Sequence, residues 1–225
     1  MSCLFEMHAH TKGVSACAHA TPEELAALYE NTDYRGIVLT NHLNASTFIC
    51  GGIENAPWCE KAEFFLNGYR RLKEILDGKM TVLLGFEINF YGKPNDYLVY
   101  GATEDFIKSN GDLMAMSIKD FSELAHENGL LFIQAHPFRQ NMQMVEPALL
   151  DGYEVCNCNP RHDSRNPVAA YWADYVDANV RISGSDFHDP EDACRGGIYF
   201  DDDIKTNAEL TAALLNGKYR LKTDF

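Results

Sequence analysis

"CLFEMHAHTKGVSACAHATPEELAALYENTDYRGIVLTNH", residues 3–42, holds two short apolar runs with one amphipathic stretch between them. The runs at 3–10 and 34–42 have the length and β-branched or aromatic content of buried strands. Between them, Thr21-Pro22-Glu23-Glu24 sets a capping hydroxyl, an N1 proline and first-turn acids in the order that starts a helix. Strands joined through a helix are parallel neighbours, because a parallel pair needs a crossover connection. Each strand also ends on histidine: His8 and His10 on the first, His42 on the second.

The same alternation continues to the end of the chain. Further strands are expected at 80–90, 96–102, 130–136, 152–159 and 180–186, and further helices at 57–78, 117–129, 165–179 and 206–218. Seven such units fit an α/β protein built as a distorted, closed or nearly closed (β/α)7 barrel. A doubly wound sheet is the runner-up. It is disfavoured because no Gly-rich phosphate loop follows the first strand. No repeat, low-complexity tract or long linker interrupts residues 1–225, so a single domain is expected.

Composition narrows the function. A hydrophobic fraction of 46% over 225 residues supports a substantial core. A net charge of −14 repels a phosphate backbone, so a nucleic-acid polymer is not the expected partner. A small anion remains accessible where cations gather in a cleft. There is no membrane-length apolar run and no cationic or apolar leader pattern, and the seven cysteines are odd in number. A reduced, cytoplasmic protein is therefore the expectation. "CNC" at 156–158 lacks the C-x-x-C spacing of zinc or thioredoxin sites and reads as strand packing.

Polar residues gather at the expected strand ends. His8, His10 and His42 are joined by Glu87, His136, Asp186 and His188. The C-terminal strand ends of a β/α barrel surround one mouth, so these residues are expected to converge there. His-x-His on a strand turns both imidazoles to one face, and "SDFH" repeats that logic with a carboxylate at 186 and an imidazole at 188. Glu87, within the apolar "LLGFEIN", needs a cation or an arginine to offset its burial. Imidazoles and carboxylates without convergent thiolates suit zinc, manganese or iron. His126 reads as a solvated helix residue.

In order along the chain, "HAHT" (8–11), "CAHA" (17–20), "LTNH" (39–42), "GFEIN" (85–89), "AHPFR" (135–139) and "GSDFH" (184–188) resemble the PHP (polymerase and histidinol phosphatase) superfamily. The "HT…C-x-HA" opening looks like its histidinol-phosphatase branch, with a slightly longer loop. The resemblance implies a distorted (β/α)7 barrel holding two or three divalent ions. One ion would take His8, His10, Glu87 and Asp186. A second would share Glu87 and add His136, with Asp96 standing where the family often has a histidine. A third would take His19, His42 and His188. Asn41 replaces an aspartate of the usual motif.

Such a cluster serves phosphoester hydrolysis, where charge neutralisation and an activated hydroxide do most of the work. Glu87, Asp186 and His188 are then the expected catalytic groups, and Cys17 is a neighbour. Arg139, Arg161, His162 and Arg195 are the expected phosphate contacts, with Arg165 a weaker candidate, since guanidinium forks match phosphate geometry. His162 or His188 could donate a proton to the leaving group, though a metal-bound imidazole cannot. The expected function is a metal-dependent phosphatase of a small phosphorylated metabolite, such as histidinol phosphate or a nucleotide phosphate. An amidohydrolase, which also opens with His-x-His, and a non-catalytic or polymerase-associated PHP module are the alternatives.

Overall fold

A computed structural model describes residues 2–223. The strands are β1 (Cys3–Ala9), β2 (Tyr34–Leu39), β3 (His42–Leu43), β4 (Thr81–Leu84), β5 (Phe86–Asn89), β6 (Asp96–Tyr100), β7 (Leu131–Gln134), β8 (Gly152–Asn157), β9 (Val180–Gly184), β10 (Gly196–Phe200) and β11 (Tyr219–Thr223). The helices are α1 (Pro22–Tyr29), α2 (Ala45–Cys50), α3 (Trp58–Ile75), α4 (Glu104–Ser109), α5 (Ile118–Glu127), α6 (Asn166–Tyr175) and α7 (Asn207–Leu215). Thr21 caps α1 as expected, its side chain accepting from Glu24 N while Glu24 reaches back to the cap.

The fold is mixed α/β, and among the described residues no closed barrel is formed. The strands form two sheets, ordered β11-β10-β1-β2-β4 and β3-β5-β6-β7-β8-β9. The expected strands 34–42 and 80–90 each break in two, and their second halves, β3 and β5, pair in the other sheet. Gly85 marks one break. A Cβ there would meet Val38 Cγ1 at 2.9 Å and the Val99 carbonyl at 3.1 Å, so only glycine lets the chain pass. Between β1 and the segment after β9 there is one parallel bridge, Ala9–Phe187, held by His10 N to Phe187 O at 2.9 Å and Phe187 N to His8 O at 3.1 Å.

The expected all-parallel order also fails at β6, which runs antiparallel to both β5 and β7. The link from β5, residues 90–95, is too short for a crossover helix, so the chain turns back on itself. Asp96 consequently lies opposite Asn89, at the end of the sheet where β5 finishes. Strands β10 and β11 were not expected; they extend the first sheet antiparallel from β1.

Four apolar clusters hold the sheets and helices together, the smallest joining Tyr153 and Val155 of β8 to Ala173 of α6. Phe5, Met7, Val38, Leu98, Ile133 and Ile182 fill the space the two sheets enclose. Phe65, Phe86, Phe121 and Phe132 pack α3 and α5 against the second sheet. Leu25, Tyr29, Ile37 and Leu72 seat α1 and α3 on the first. Among the described residues no helix is long and apolar enough to cross a membrane.

Candidate metal centre

Glu87 is the hub. Its Oε2 lies 3.2 Å from His8 Nε2, 3.2 Å from His10 Nε2 and 3.1 Å from His42 Nδ1, while Oε1 lies 3.1 Å from His136 Nε2. The β3–β5 pairing puts His42 directly beside Glu87 in register. Asp186 faces the same imidazoles: its Oδ1 is 3.4 Å from His8 Nε2, 3.5 Å from His10 Nε2 and 3.4 Å from His188 Nδ1. His8, His10 and Glu87 are fully buried.

These side chains fall into three overlapping sets: His8–His10–Glu87, Glu87–Asp96–His136 and His10–His42–His188. Within each set the ligand atoms lie within 4.8 Å of one another. Asp96 joins because β6 runs antiparallel; a parallel strand would have carried it to the opposite end of the sheet. His136 and Asp186 each follow a strand end with positive φ, 28° and 51°. Histidine and aspartate are among the few L-residues that tolerate this region, and such strain concentrates at functional sites.

The donor set fits divalent cations. His10 Nε2 and His42 Nδ1 are buried and make no hydrogen bond, although each lies close to Glu87 Oε2. His8 Nδ1 donates to Glu154 Oε1 at 2.8 Å, which turns the Nε2 lone pair toward two carboxylates. Lone pair against carboxylate repels unless a proton or cation intervenes. Burial alone would lower the His8 pKa, but Glu154, Asp186 and Glu87 outweigh it and raise it well above its ordinary value. Burial would likewise raise Glu87; His8 and His42 reverse this and hold it well below the usual carboxylate range. Burial pushes His42 down to about 3, and burial with the charge of His10 pushes His188 to about 4. Both are therefore neutral, the form that binds metal. Asp96 is raised to about 6 by burial and by Glu87.

His19 stands apart from all three sets. Its side chain is 71% exposed and its Nδ1 pairs with Asp189 at 2.7 Å. His10 takes its place beside His42 and His188. His188 donates from Nδ1 to the Asp186 carbonyl at 2.9 Å and offers Nε2 to Cys17 Sγ at 3.1 Å. Burial and the charges of Glu87 and Asp186 push the Cys17 thiol up to about 12, so it stays protonated.

The mouth is a pocket of about 300 Å³ lined by Glu87, His136, Arg139, Arg161, His162 and His188, among others. Arg139 is tied down, donating to Asp186 Oδ2 at 2.7 Å and to Asn157 Oδ1 at 2.9 Å. Arg161 forks onto both oxygens of the buried Asp192 at 2.7 Å. His162 lines the mouth, its pKa lowered by burial and by Arg139. Arg195 does not reach the mouth; with Arg165 it lines an adjoining cleft, and its Nε donates to the Glu191 carbonyl.

Sequence reasoning missed the supports behind the ligands. Glu154, fully buried, takes His8 Nδ1 on one oxygen and the His136 N–H on the other, both at 2.8 Å. Asn157 donates to Glu154 at 3.0 Å and to Asp186 at 3.1 Å. Asn41 accepts from Thr11 N and Ser15 Oγ, and Ser15 Oγ accepts from His42 N, so that asparagine anchors the loop after β1. Glu154 carried the signal that exposed Glu87, an acid inside an apolar strand.

No family model matches the chain, and no curated protein matches it. Solved structures do. A two-domain protein from Bacteroides vulgatus containing a predicted PHP-like metal-dependent phosphoesterase superposes with a TM-score of 0.72 at 16% identity, over 100% of this chain. This chain shares a fold with it. It spans 65% of that two-domain protein's length. The lesion-specific endonuclease PfuEndoQ from Pyrococcus furiosus superposes with a TM-score of 0.63 at 16% identity, over 98% of this chain and 58% of its own. A putative metal-dependent phosphoesterase from Bifidobacterium adolescentis gives 0.53 at 13% identity, over 93% of this chain and 95% of its own. At these identities the PHP likeness is one of fold, and the chemistry is argued from the residues.

Proposed function

We propose that the protein is a metal-dependent phosphoesterase acting on a small phosphorylated metabolite. One observation carries the reading: three ligand sets, two sharing Glu87 and two sharing His10, meet at a mouth that also presents Arg139 and Arg161. His8, His10, Glu87 and Asp186 would hold one ion, Glu87, Asp96 and His136 a second, and His42 with His188 a third. Zinc, manganese and iron suit these donors. Bound there, divalent ions neutralise phosphate oxygens and supply hydroxide near neutral pH.

The chain's own residues do the rest. Arg161, held by Asp192, presents fixed guanidinium N–H groups to phosphate oxygens at the rim. Arg139 orients Asp186 through its 2.7 Å bond. His162 lies outside the three sets, so its imidazole is free to give a proton to the leaving oxygen. The pocket volume of about 300 Å³ sits at the small end of ligand pockets, which favours a metabolite such as histidinol phosphate or a nucleotide phosphate. A net charge of −14 disfavours polymeric nucleic acid.

The test is turnover of a phosphoester panel by protein loaded with zinc, manganese or iron, beside His8→Ala and Glu87→Ala. Loss of turnover in both variants is expected. Hydrolysis of amides or lactones without phosphatase activity, or no turnover by any loaded form, sinks the proposal.

A further inference from the structure

The end of strand β8 carries a thiol pair outside the metal centre, Cys156 on the strand and Cys158 just past it. Cys156 and Cys158 place their sulfurs 3.3 Å apart, in direct contact. Residues two apart on a strand have Cα atoms about 6.6 Å apart, just inside the range a disulfide spans. The register of β8 against β9 slips between Glu154 and Cys156, and such a bulge lets the strand bend locally. Cys156 is buried, whereas Cys158 lines the cleft of about 460 Å³ beside the mouth. A small solute reaches one sulfur directly, and the second sulfur waits behind it.

The residue between the two cysteines is wired to the metal centre. Asn157 donates to Glu154 and Asp186, and its Oδ1 accepts from Arg139. Closing an S–S bond would draw the sulfurs from 3.3 Å to about 2.05 Å and shorten the backbone at Asn157.

We propose that Cys156 and Cys158 are a modification site: a reversible disulfide formed by a peroxide, which acts on the mouth through Asn157. One sulfur of the pair attacks one peroxide oxygen, the O–O bond breaks, and the departing hydroxide takes the thiol proton to leave as water. The partner sulfur then attacks the sulfenic sulfur, the S–O bond breaks, and a second water leaves. The thiols lose two electrons and two protons, and the peroxide is reduced to two waters. Excess dithiol reverses the bond. The effect on the mouth rests on the metal-centre reading; bond formation does not.

The experiment treats full-length reduced protein with one equivalent of hydrogen peroxide and maps its cysteines by peptide mass. The 156–158 peptide should lose the mass of two hydrogens and regain it with dithiothreitol, while Cys156→Ser and Cys158→Ser should each abolish that loss. A pair that stays reduced while Cys17, Cys50 and Cys59 oxidise overturns the site. The second arm measures zinc affinity by chelator competition before and after oxidation. An affinity at least about tenfold weaker is expected, the size typical for disturbed outer partners of metal ligands. A formed disulfide with unchanged affinity refutes the coupling through Asn157. If the reduced protein binds no ion, the proposed function fails and the coupling with it, and the mass arm alone decides the bond.

Discussion

Replacing Glu154 tests whether the ligands are held from behind. Its two oxygens fix the His8 tautomer and the backbone of His136, each at 2.8 Å, so one carboxylate braces ligands of two sets that share Glu87. Glu154→Ala leaves two buried donors, His8 Nδ1 and His136 N, without a partner. At about 1–3 kcal/mol for each, unfolding stability should fall by roughly 2–6 kcal/mol. Glu154→Gln keeps the shape and one accepting oxygen but turns an NH2 toward the other donor, so it should fall in between. Metal affinity should drop by about 10–100-fold in Gln, which is roughly 1.4–2.7 kcal/mol. Chelator competition with zinc measures the affinity and thermal melting of the metal-free protein measures the stability. A Gln variant that binds zinc within about twofold of the parent, despite an altered melting temperature, refutes a positioning role and leaves Glu154 a packing residue.

Glu87 belongs to two of the three sets, so Glu87→Ala should lower the bound-metal stoichiometry by more than one ion, read by elemental analysis; loss of one ion or none contradicts the shared-hub geometry. His8 is raised well above its ordinary pKa and is protonated at pH 7 in the metal-free protein. Ion uptake must therefore expel a proton, and apparent affinity should rise with pH until the raised His8 value is passed. Calorimetry in buffers of differing ionisation enthalpy reads that proton directly, and its absence would show that His8 is already neutral. Cys17→Ser should leave turnover within about twofold, since a thiol titrating near 12 supplies no nucleophile at neutral pH. A loss of a hundredfold would instead make Cys17 a participant.

Much of the centre was legible because its residues sit where strand ends put them. His-x-His, Glu87 inside an apolar run, and "SDFH" each signal a cost of burial that something must offset, and the structure gathers all of them within one mouth. His19 lines the mouth but joins none of the three sets, for the opposite reason. It lies in a loop, where no strand register fixes its side chain, and Asp189 captures it. Arg195, in the loop between β9 and β10, likewise turns away, to the adjoining cleft.

The fold was misread where a connection was short, and that error bears on the chemistry. An all-parallel barrel would carry Asp96 to the far end of its strand, away from His136, and leave the second set with only Glu87 and one imidazole. The link 90–95 is too short for a helix, which forces β6 antiparallel and returns Asp96 to the mouth beside Asn89. The break from a regular barrel is thus what completes the set. Lengthening that link would test the point without touching a ligand. Inserting glycines after Gly92, in the turn rather than on β5 or β6, should loosen the Glu87–Asp96–His136 set while sparing His8 and His10. One ion should be lost and the others retained. Loss of every ion, with the fold intact by circular dichroism, would show that the sets do not fill independently.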